Sequence, residues 1–411
     1  MKVAIVSIGD ELMNGFTVNS NASWIAKKIN SFSRLDIAEI LTLYDDVDEI
    51  ENKVKNLLNN NYAFIFLTGG LGPTHDDVTK KALKKIFNSK IVLNKHYYGR
   101  LLKFFKKRGY TNIAHLRDQA EILDCSTPIP NKHGTALGMY IKSDDTKIFI
   151  LPGVPNEMKS MLQDEIIPNF IELKFKKKIN QITYLTTGIT ESRLSDQLSD
   201  IIESNKNKFK VSFLPSYFGV KVRICPASNN EKKEDFNDIC AAIMTEIDKF
   251  CYGLDDDRME EVVCNLLIKN QFSISLAESC TGGLMSKKIT DIPGSSACYN
   301  GSIIAYSNIV KEKQLLVPKA VLKTHGAVSP EVALIMAENI KKIFDSDIGL
   351  SITGISGPEG GADSKPVGLV YIAIIFKDKK IVKEFNLINN RKLHREISTH
   401  IGFNMLRLLL K

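Results

Sequence analysis

Apolar residues fall at two periods along the chain, and the order in which the periods alternate divides it into three parts. Runs of strand length stand at 2–8 (KVAIVSI), 37–43 (IAEILTL) and 63–68 (AFIFLT), with helical spacing between them at 21–32 and 47–60. Strands that alternate with helices predict a parallel sheet covered on its faces. Two further extended runs, TALGMYIK and TKIFILPG, lead to a short helix over 156–162. The pattern then loosens and becomes lysine-rich. It predicts strands at ITYLTTG, KVSFLP and GVKVRICP and a helix over 234–248, a small α+β module. After the acidic run 255–257, placed to cap a helix beginning near Met259, the third part reads ISLAES (strand), 283–290 (helix), GSIIAYS (strand), 330–343 (helix) and IGLSIT (strand). A glycine-rich loop, GISGPEGGADSKPVG, follows, then strands LVYIAIIF and IVKEFNL and a last helix over 391–410. No repeat period emerges. The expected domains are 1–169, 170–253 and 254–411, in keeping with a length of 411 residues that exceeds one ordinary core.

Composition narrows the class without changing this picture. The chain is 44% hydrophobic and 25% charged, and its longest apolar run, GLVYIAIIF at 368–376, is strand-sized, so no membrane span is expected. Asp10 and Glu11 follow the first apolar run where a signal peptide would continue uncharged, and a cytoplasmic protein is expected. Seven cysteines form no close C-x-x-C pair, which argues against a disulfide framework and a zinc knuckle. The net charge of +8 is spread along the chain, so nucleic acid is not an expected partner and a phosphate-bearing small ligand fits equally well.

Two constellations carry candidate chemistry. In the first, GDE and GGLGPTHDD each follow an apolar strand, at the sheet edge where α/β proteins bind ligands. Asp10 and Glu11 would converge there with Asp76 and Asp77, an oxygen-rich set suited to a hard divalent ion. Gly69, Gly70 and Gly72 permit close approach of the backbone to a phosphate, and Thr74 adds a donor. The competing reading makes Asp76 and Asp77 helix caps and gives the glycines to the turn.

In the second, Ser279 of LAESCTGG ends a strand just before Gly282 and Gly283, where backbone N–H groups could hold an oxyanion. Cys280 is intrinsically more reactive but belongs to a residue type that is commonly buried, and Ser279 could equally be an N-cap. No S-x-x-K is present, so a base must come from elsewhere. AYSNIVKEK offers Tyr306 and Lys311, the latter a base if burial lowers its pKa and otherwise a surface lysine.

GDELMNGFTVNSNASWIAKKI, FLTGGLGPTHDDVTKKAL, NKHGTALGM and LPGVPNEMKSML resemble the first domain of the CinA family, which is itself similar to molybdopterin-binding domains. The resemblance implies a metal-dependent ADP-ribose pyrophosphatase using Mg²⁺, Mn²⁺ or Co²⁺. Asp10, Asp76 and Asp77 would then handle metal, Gly69, Gly70, Gly72 and Thr74 would cradle phosphate, and Asn156 and Glu157 would form a wall. Leu137 stands where the family motif usually has proline. AESCTGG, GSSACYNGSIIAYSNIVK, THGAVS and SITGISGPEGGADSKPVG resemble the C-terminal domain of the same family, similar to nicotinamide-nucleotide amidase. That implies hydrolysis of nicotinamide mononucleotide to nicotinate mononucleotide and ammonia, with no metal required. Ser279 would be nucleophile, Lys311 its base and Tyr306 a proton-transfer partner. Cys280, Thr281, Gly282 and Gly283 would line the reacting group, Thr353 place the carboxamide, and Gly357, Gly360 and Gly361 surround the nucleotide. Arg391, or Arg395 one turn on, would meet phosphate or carboxylate, and His325 is read as a turn residue. The central part is similar to the family's KH-type module but lacks an intact G-x-x-G clamp, and reads as a spacer. The fold class expected is therefore α/β, with a molybdopterin-binding-like domain, a small α+β KH-type module and an α/β amidase domain, assembled as a homodimer. A non-catalytic nucleotide-binding or scaffold protein is the alternative.

Overall fold

The computed structural model describes residues 1–72, 77–109, 116–176, 181–227 and 232–411, and its internal contacts divide the chain into two compact units, Met1–Lys178 and Ile179–Lys411. In the first unit, six strands run in the order Asp36–Leu43, Lys2–Ile8, Phe64–Thr68, Thr146–Leu151, Gly138–Ser143, Thr127–Ile129. The first four are parallel and the last two join antiparallel. Because side chains alternate across a strand, the continuous apolar run KVAIVSI feeds two cores at once. Val3 and Ile5 pack on one face with Ile25, Ile29 and Phe66, while Ala4, Val6 and Ile8 pack on the other with Val54, Leu57 and Leu83.

The helix expected over 156–162 is Pro155–Met161, but it does not end the domain. It continues as a π-helical stretch, Leu162–Ile171, which carries Pro168 and buries Ile166, Ile167 and Ile171 in the same core as Phe175. Apolar burial across residue 169 therefore moves the division between units later than the expected boundary. The helix Lys95–Lys107 is an addition to the sequence reading, while Thr79–Ile86 is the helix that the capping reading places after Asp77.

The second unit holds two sheets. Strands Phe209–Ser216, Gly219–Pro226, Ile182–Thr186 and Cys251–Leu254 form an antiparallel sheet in that order. The other sheet is ordered Tyr299–Ile304, Ile274–Glu278, Ile348–Gly354, Leu369–Phe376, Lys379–Asn386, with the first three strands parallel. Leu276, Ile348, Leu350 and Ile352 bury against the final helix, Arg391–Leu410, on one face. On the other face, small residues let the helix Pro330–Ile343 approach closely: Ser351 Oγ donates to Ala333 O (2.6 Å), Ser275 Oγ to Ile340 O (3.1 Å), and a Cβ on Gly349 would lie 2.0 Å from Ala337 O. Arg407 is buried, donating to Cys251 O (3.0 Å) and Lys249 O (2.9 Å), and so fastens the final helix to the antiparallel sheet. The strand Ile274–Glu278 is the central one of the three parallel strands, and the segment that follows it emerges at their carboxyl end. Among the described residues no helix is long and apolar enough to cross a membrane.

Candidate active site

Ser279 is the first residue beyond that central strand, its N–H bonded to Ile352 O (2.9 Å). The next residues turn through left-handed backbone at Gly282 (φ +57°) and Gly283 (φ +89°), conformations that favour glycine, and enter the helix Leu284–Thr290. That helix has Gly283 as its N-cap and no side-chain capping bond, so the capping role open to Ser279 from sequence is not the one it holds.

The capping work falls to Glu278, which sequence reasoning passed over. Its carboxylate is fully buried and accepts from the N–H groups of Gly283 (2.9 Å), Met285 (3.2 Å) and Ser286 (2.8 Å) and from Ser286 Oγ. A charged group in an otherwise apolar strand was the available signal, since burial of a carboxylate requires several donors. Gly282 N–H is bonded to Ser279 O (3.1 Å). Of the loop's amides, those of Cys280 and Thr281 are committed to no carbonyl or carboxylate among the described hydrogen bonds.

Lys311, on the helix Asn308–Lys313, reaches back under this loop and is 1% exposed. Its Nζ lies 3.0 Å from Ser279 Oγ, 2.6 Å from Ala305 O and 3.4 Å from Tyr306 O. Burial of an ammonium with no carboxylate partner lowers its pKa to about 8. The surface reading of this lysine is thereby replaced by one of a buried amine against a hydroxyl.

The other expected residues divide into those at the centre and those around it. Tyr306 is 60% exposed; its hydroxyl accepts from Arg391 Nη2 (2.7 Å), and its carbonyl, not its ring, faces Lys311. Arg391 also donates to Gly357 O (3.1 Å). Arg395 gives Nε and Nη2 to Thr281 O (3.2 and 2.6 Å), so it grips the loop after Ser279, and of the two arginines Arg391 is the exposed one. Thr353 is buried, with its hydroxyl proton given to Ala327 O (2.9 Å), which leaves it only acceptor capacity. Gly357 is buried, while Gly360 and Gly361 are exposed in the same loop. That loop is tied to THGAVS by Lys365, which donates to His325 O and Val328 O. His325 ends the helix Lys319–His325, with its Nδ1 3.5 Å from Glu331 Oε1. Cys280 is buried and its thiol is pushed up to about 12 by that burial, which removes it as a competing nucleophile near neutral pH. Thr281 is also buried, and its Oγ1 has no hydrogen-bond partner among the described residues.

In the first unit, a cavity of about 630 Å³ opens at the carboxyl ends of the parallel strands and is lined by Asp10, Glu11, Gly69, Gly70, Gly72, Asp77 and Glu157 among others. Asn156 is exposed and outside the lining. Thr74 and Asp76 lie outside the described residues. Gly69 is required by packing, since a Cβ there would stand 2.1 Å from Ile8 O; at Gly70 it would stand 2.2 Å from Thr79 Oγ1. Asp77 accepts from Gly72 N–H (2.7 Å), which fixes the glycine turn.

Asp45, also in the lining, was missed, although it follows an apolar strand as Asp10 does. Asp10 and Asp45 are cross-linked, each carboxylate accepting the other's N–H at 3.0 Å. Burial raises the Asp45 pKa; the Asp10 N–H opposes this, and the nearby Asp10, Glu11 and Asp77 charges add to the rise. Among the described residues no group of three or more His, Cys, Asp or Glu side chains converges as a metal-ligand set, so the visible donors do not by themselves fit an ion.

Comparison with known proteins accounts for both units. Residues 4–171 match the profile described as "Probable molybdopterin binding domain", 181–253 that of "Damage-inducible protein CinA KH domain" and 256–410 that of "CinA C-terminal domain". A CinA-like protein of Dictyoglomus turgidum is 34% identical over 411 residues, covering 99% of this chain and 98% of its own. One from Chlorobaculum tepidum is 35% identical over 383 residues, covering 92% and 90%. Among solved structures, the competence/damage inducible protein CihA from Agrobacterium tumefaciens is 32% identical, covering 38% of this chain and 98% of its own, with a TM-score of 0.36. With near-full-length identity above 30% to such relatives and three successive domain matches, the chain belongs to the CinA family.

Proposed function

We propose that the C-terminal domain hydrolyses the carboxamide of nicotinamide mononucleotide to nicotinate mononucleotide and ammonia through an ester on Ser279. The buried 3.0 Å contact between Lys311 Nζ and Ser279 Oγ carries this reading. When Lys311 is neutral, its two hydrogens are directed by Ala305 O and Tyr306 O, which turns the nitrogen lone pair toward the Ser279 hydroxyl. Lys311 takes the serine proton as Oγ attacks the carboxamide carbon, and the Cys280 and Thr281 N–H groups receive the developing oxyanion. The lysine ammonium then returns the proton to the departing nitrogen as the C–N bond breaks and ammonia leaves. Water, deprotonated by the same amine, cleaves the ester and restores Ser279.

The pyridinium ring withdraws electrons from the amide, and nucleophile, base and oxyanion donors all come from the chain. Arg391, held by the Tyr306 hydroxyl and Gly357 O, presents a cation to the substrate phosphate, and Thr353 has acceptor capacity for the amide N–H. In this reading Tyr306 orients Arg391 and does not relay the serine proton. Purified protein is expected to release ammonia and nicotinate mononucleotide at an unchanged rate with EDTA present. No ammonia release from this substrate would refute the assignment.

For the N-terminal cavity we propose a second activity, cleavage of the diphosphate of ADP-ribose to AMP and ribose 5-phosphate with Mg²⁺, Mn²⁺ or Co²⁺. Its support is a cavity of nucleotide size with Asp10, Glu11, Asp45 and Asp77 lining it. The described carboxylates are not a complete ligand set, and an ion would need a donor beyond them. AMP formation measured with each ion is expected to fall at least about tenfold in Asp77→Ala, since that change frees the glycine turn as well as removing a carboxylate. Equal rates in wild type and variant would end this second reading.

A further inference from the structure

The turn between the helices Lys319–His325 and Pro330–Ile343 carries four successive carbonyls, and each is met by a side chain. Lys365, from the glycine-rich loop, donates through Nζ to His325 O and to Val328 O, the latter at 2.7 Å. Ser329 Oγ donates to Gly326 O (3.4 Å) and Thr353 Oγ1 to Ala327 O (2.9 Å). Gly326 makes room for the ammonium: its φ is +73°, and a Cβ there would stand 2.9 Å from Lys365 Nζ. Lys365 is also fixed at its backbone, which exchanges two N–H to carbonyl bonds with Ala362 (2.8 and 2.9 Å).

Thr353 carries this turn into the site. Glu278 pairs with Ile352, and Ser279 N–H bonds to Ile352 O (2.9 Å), so Thr353 stands next in register beside Ser279. A hydroxyl has one hydrogen and two lone pairs. With its hydrogen given to Ala327 O, Thr353 can accept from a substrate N–H and cannot donate to a substrate oxygen. That asymmetry holds only while Ala327 O stays in place, and the carbonyls on either side of it are the two that Lys365 clasps.

We propose that Lys365 is a positioning residue that sets the preference of the Ser279 centre for its substrate over its product. The inference rests on the amidase reading of the site. The carboxamide of the substrate brings an N–H to the Thr353 lone pairs, whereas the carboxylate of the product brings only acceptors and is repelled. Without the ammonium the turn is released, Ala327 O no longer holds the hydroxyl hydrogen, and Thr353 can rotate to donate to the carboxylate. The sign of the effect separates this role from two plainer ones. A lysine that only stiffened the loop would, when removed, weaken both ligands alike. One that acted only as a positive charge would, when removed, penalise the more anionic product and so raise the preference for substrate.

The test uses Lys365→Met, Thr353→Val and the Lys365→Met/Thr353→Val double variant. Each is made with Ser279 intact, for kcat/KM of ammonia release and the thermal midpoint. Each is also made in the Ser279→Ala background, for calorimetric titration with nicotinamide mononucleotide and with nicotinate mononucleotide. Lys365→Met is expected to lower the ratio of substrate to product affinity about tenfold, with the product bound more tightly than before, and to lower kcat/KM by a similar factor at a thermal midpoint near that of the wild type. Added to Thr353→Val, the same change should alter the ratio by less than about twofold, because the hydroxyl through which it acts is gone. A ratio unchanged or raised in Lys365→Met would overturn the proposal. So would an undiminished effect of Lys365→Met in the Thr353→Val background. If the wild type releases no ammonia, the titrations decide separately. A ratio that falls in Lys365→Met would fault the chemistry assigned to Ser279 while upholding the positioning role, and failure of Ser279→Ala to bind either mononucleotide would overturn both.

Discussion

Ser279→Ala is expected to abolish ammonia release from nicotinamide mononucleotide, by at least about 10⁴-fold in kcat, while leaving the protein folded and able to bind the substrate. The size of the effect follows from the route. Without the hydroxyl there is no ester, and water must attack an amide directly with only the oxyanion donors and Lys311 to assist it. Stability should change little. Ser279 Oγ is one of three partners of Lys311 Nζ, and the Ala305 and Tyr306 carbonyls remain, so the loss is one hydrogen bond worth about 1 kcal/mol. The N–H of residue 279 keeps its bond to Ile352 O, and the carboxylate of Glu278 still holds the loop. Calorimetric titration of the variant with the mononucleotide should give an affinity near that of the wild type. Turnover persisting in Ser279→Ala would remove the ester mechanism.

The second large effect concerns pH. Lys311 acts as a base only when neutral, and its pKa is lowered to about 8 by burial. At pH 7 about one molecule in ten then carries the free amine, compared with about three in ten thousand for an ordinary lysine, a gain of about 300-fold. The profile of kcat/KM should rise about tenfold per pH unit below that value and level off above it. Lys311→Met should lose at least about 10³-fold at every pH and show no such rise. A flat wild-type profile between pH 6 and 9 would contradict the assignment. The same shift has a stability consequence of definite sign. Between the folded value of about 8 and the ordinary 10.5 the unfolded chain binds more protons, so stability rises with pH across that window. Below it the full cost of the buried ammonium is present.

Much of the architecture was legible because it rests on periodicity. KVAIVSI and ISLAES read as strands buried on both faces, and that is how they are used. The later division between units was not legible, since Pro168 and a loosening pattern hide the helical turn that carries Ile166, Ile167 and Ile171 into the first core. At the site, residue type and order pointed to Ser279 and Lys311, but only the fold distinguishes a buried lysine from a surface one. Tyr306 illustrates the limit in the other direction. Its position in the chain placed it near Lys311, yet the four intervening residues turn its ring outward to Arg391 and leave its carbonyl at the amine. Glu278, Asp45 and Lys365 act through partners distant in sequence, and no local spacing reveals such partners.

Glu278 bears on how the site meets its substrate. A helix N-terminus ordinarily presents unsatisfied N–H groups that attract a ligand anion. Here the chain supplies that anion itself, and the amides of Gly283, Met285 and Ser286 are saturated before anything binds. The turn that aims Ser279 is consequently shaped in the free protein, and none of the free energy of substrate association is diverted to folding it. On the proposed reading, recognition would begin at the exposed Arg391 and proceed inward to a turn that Glu278 already holds.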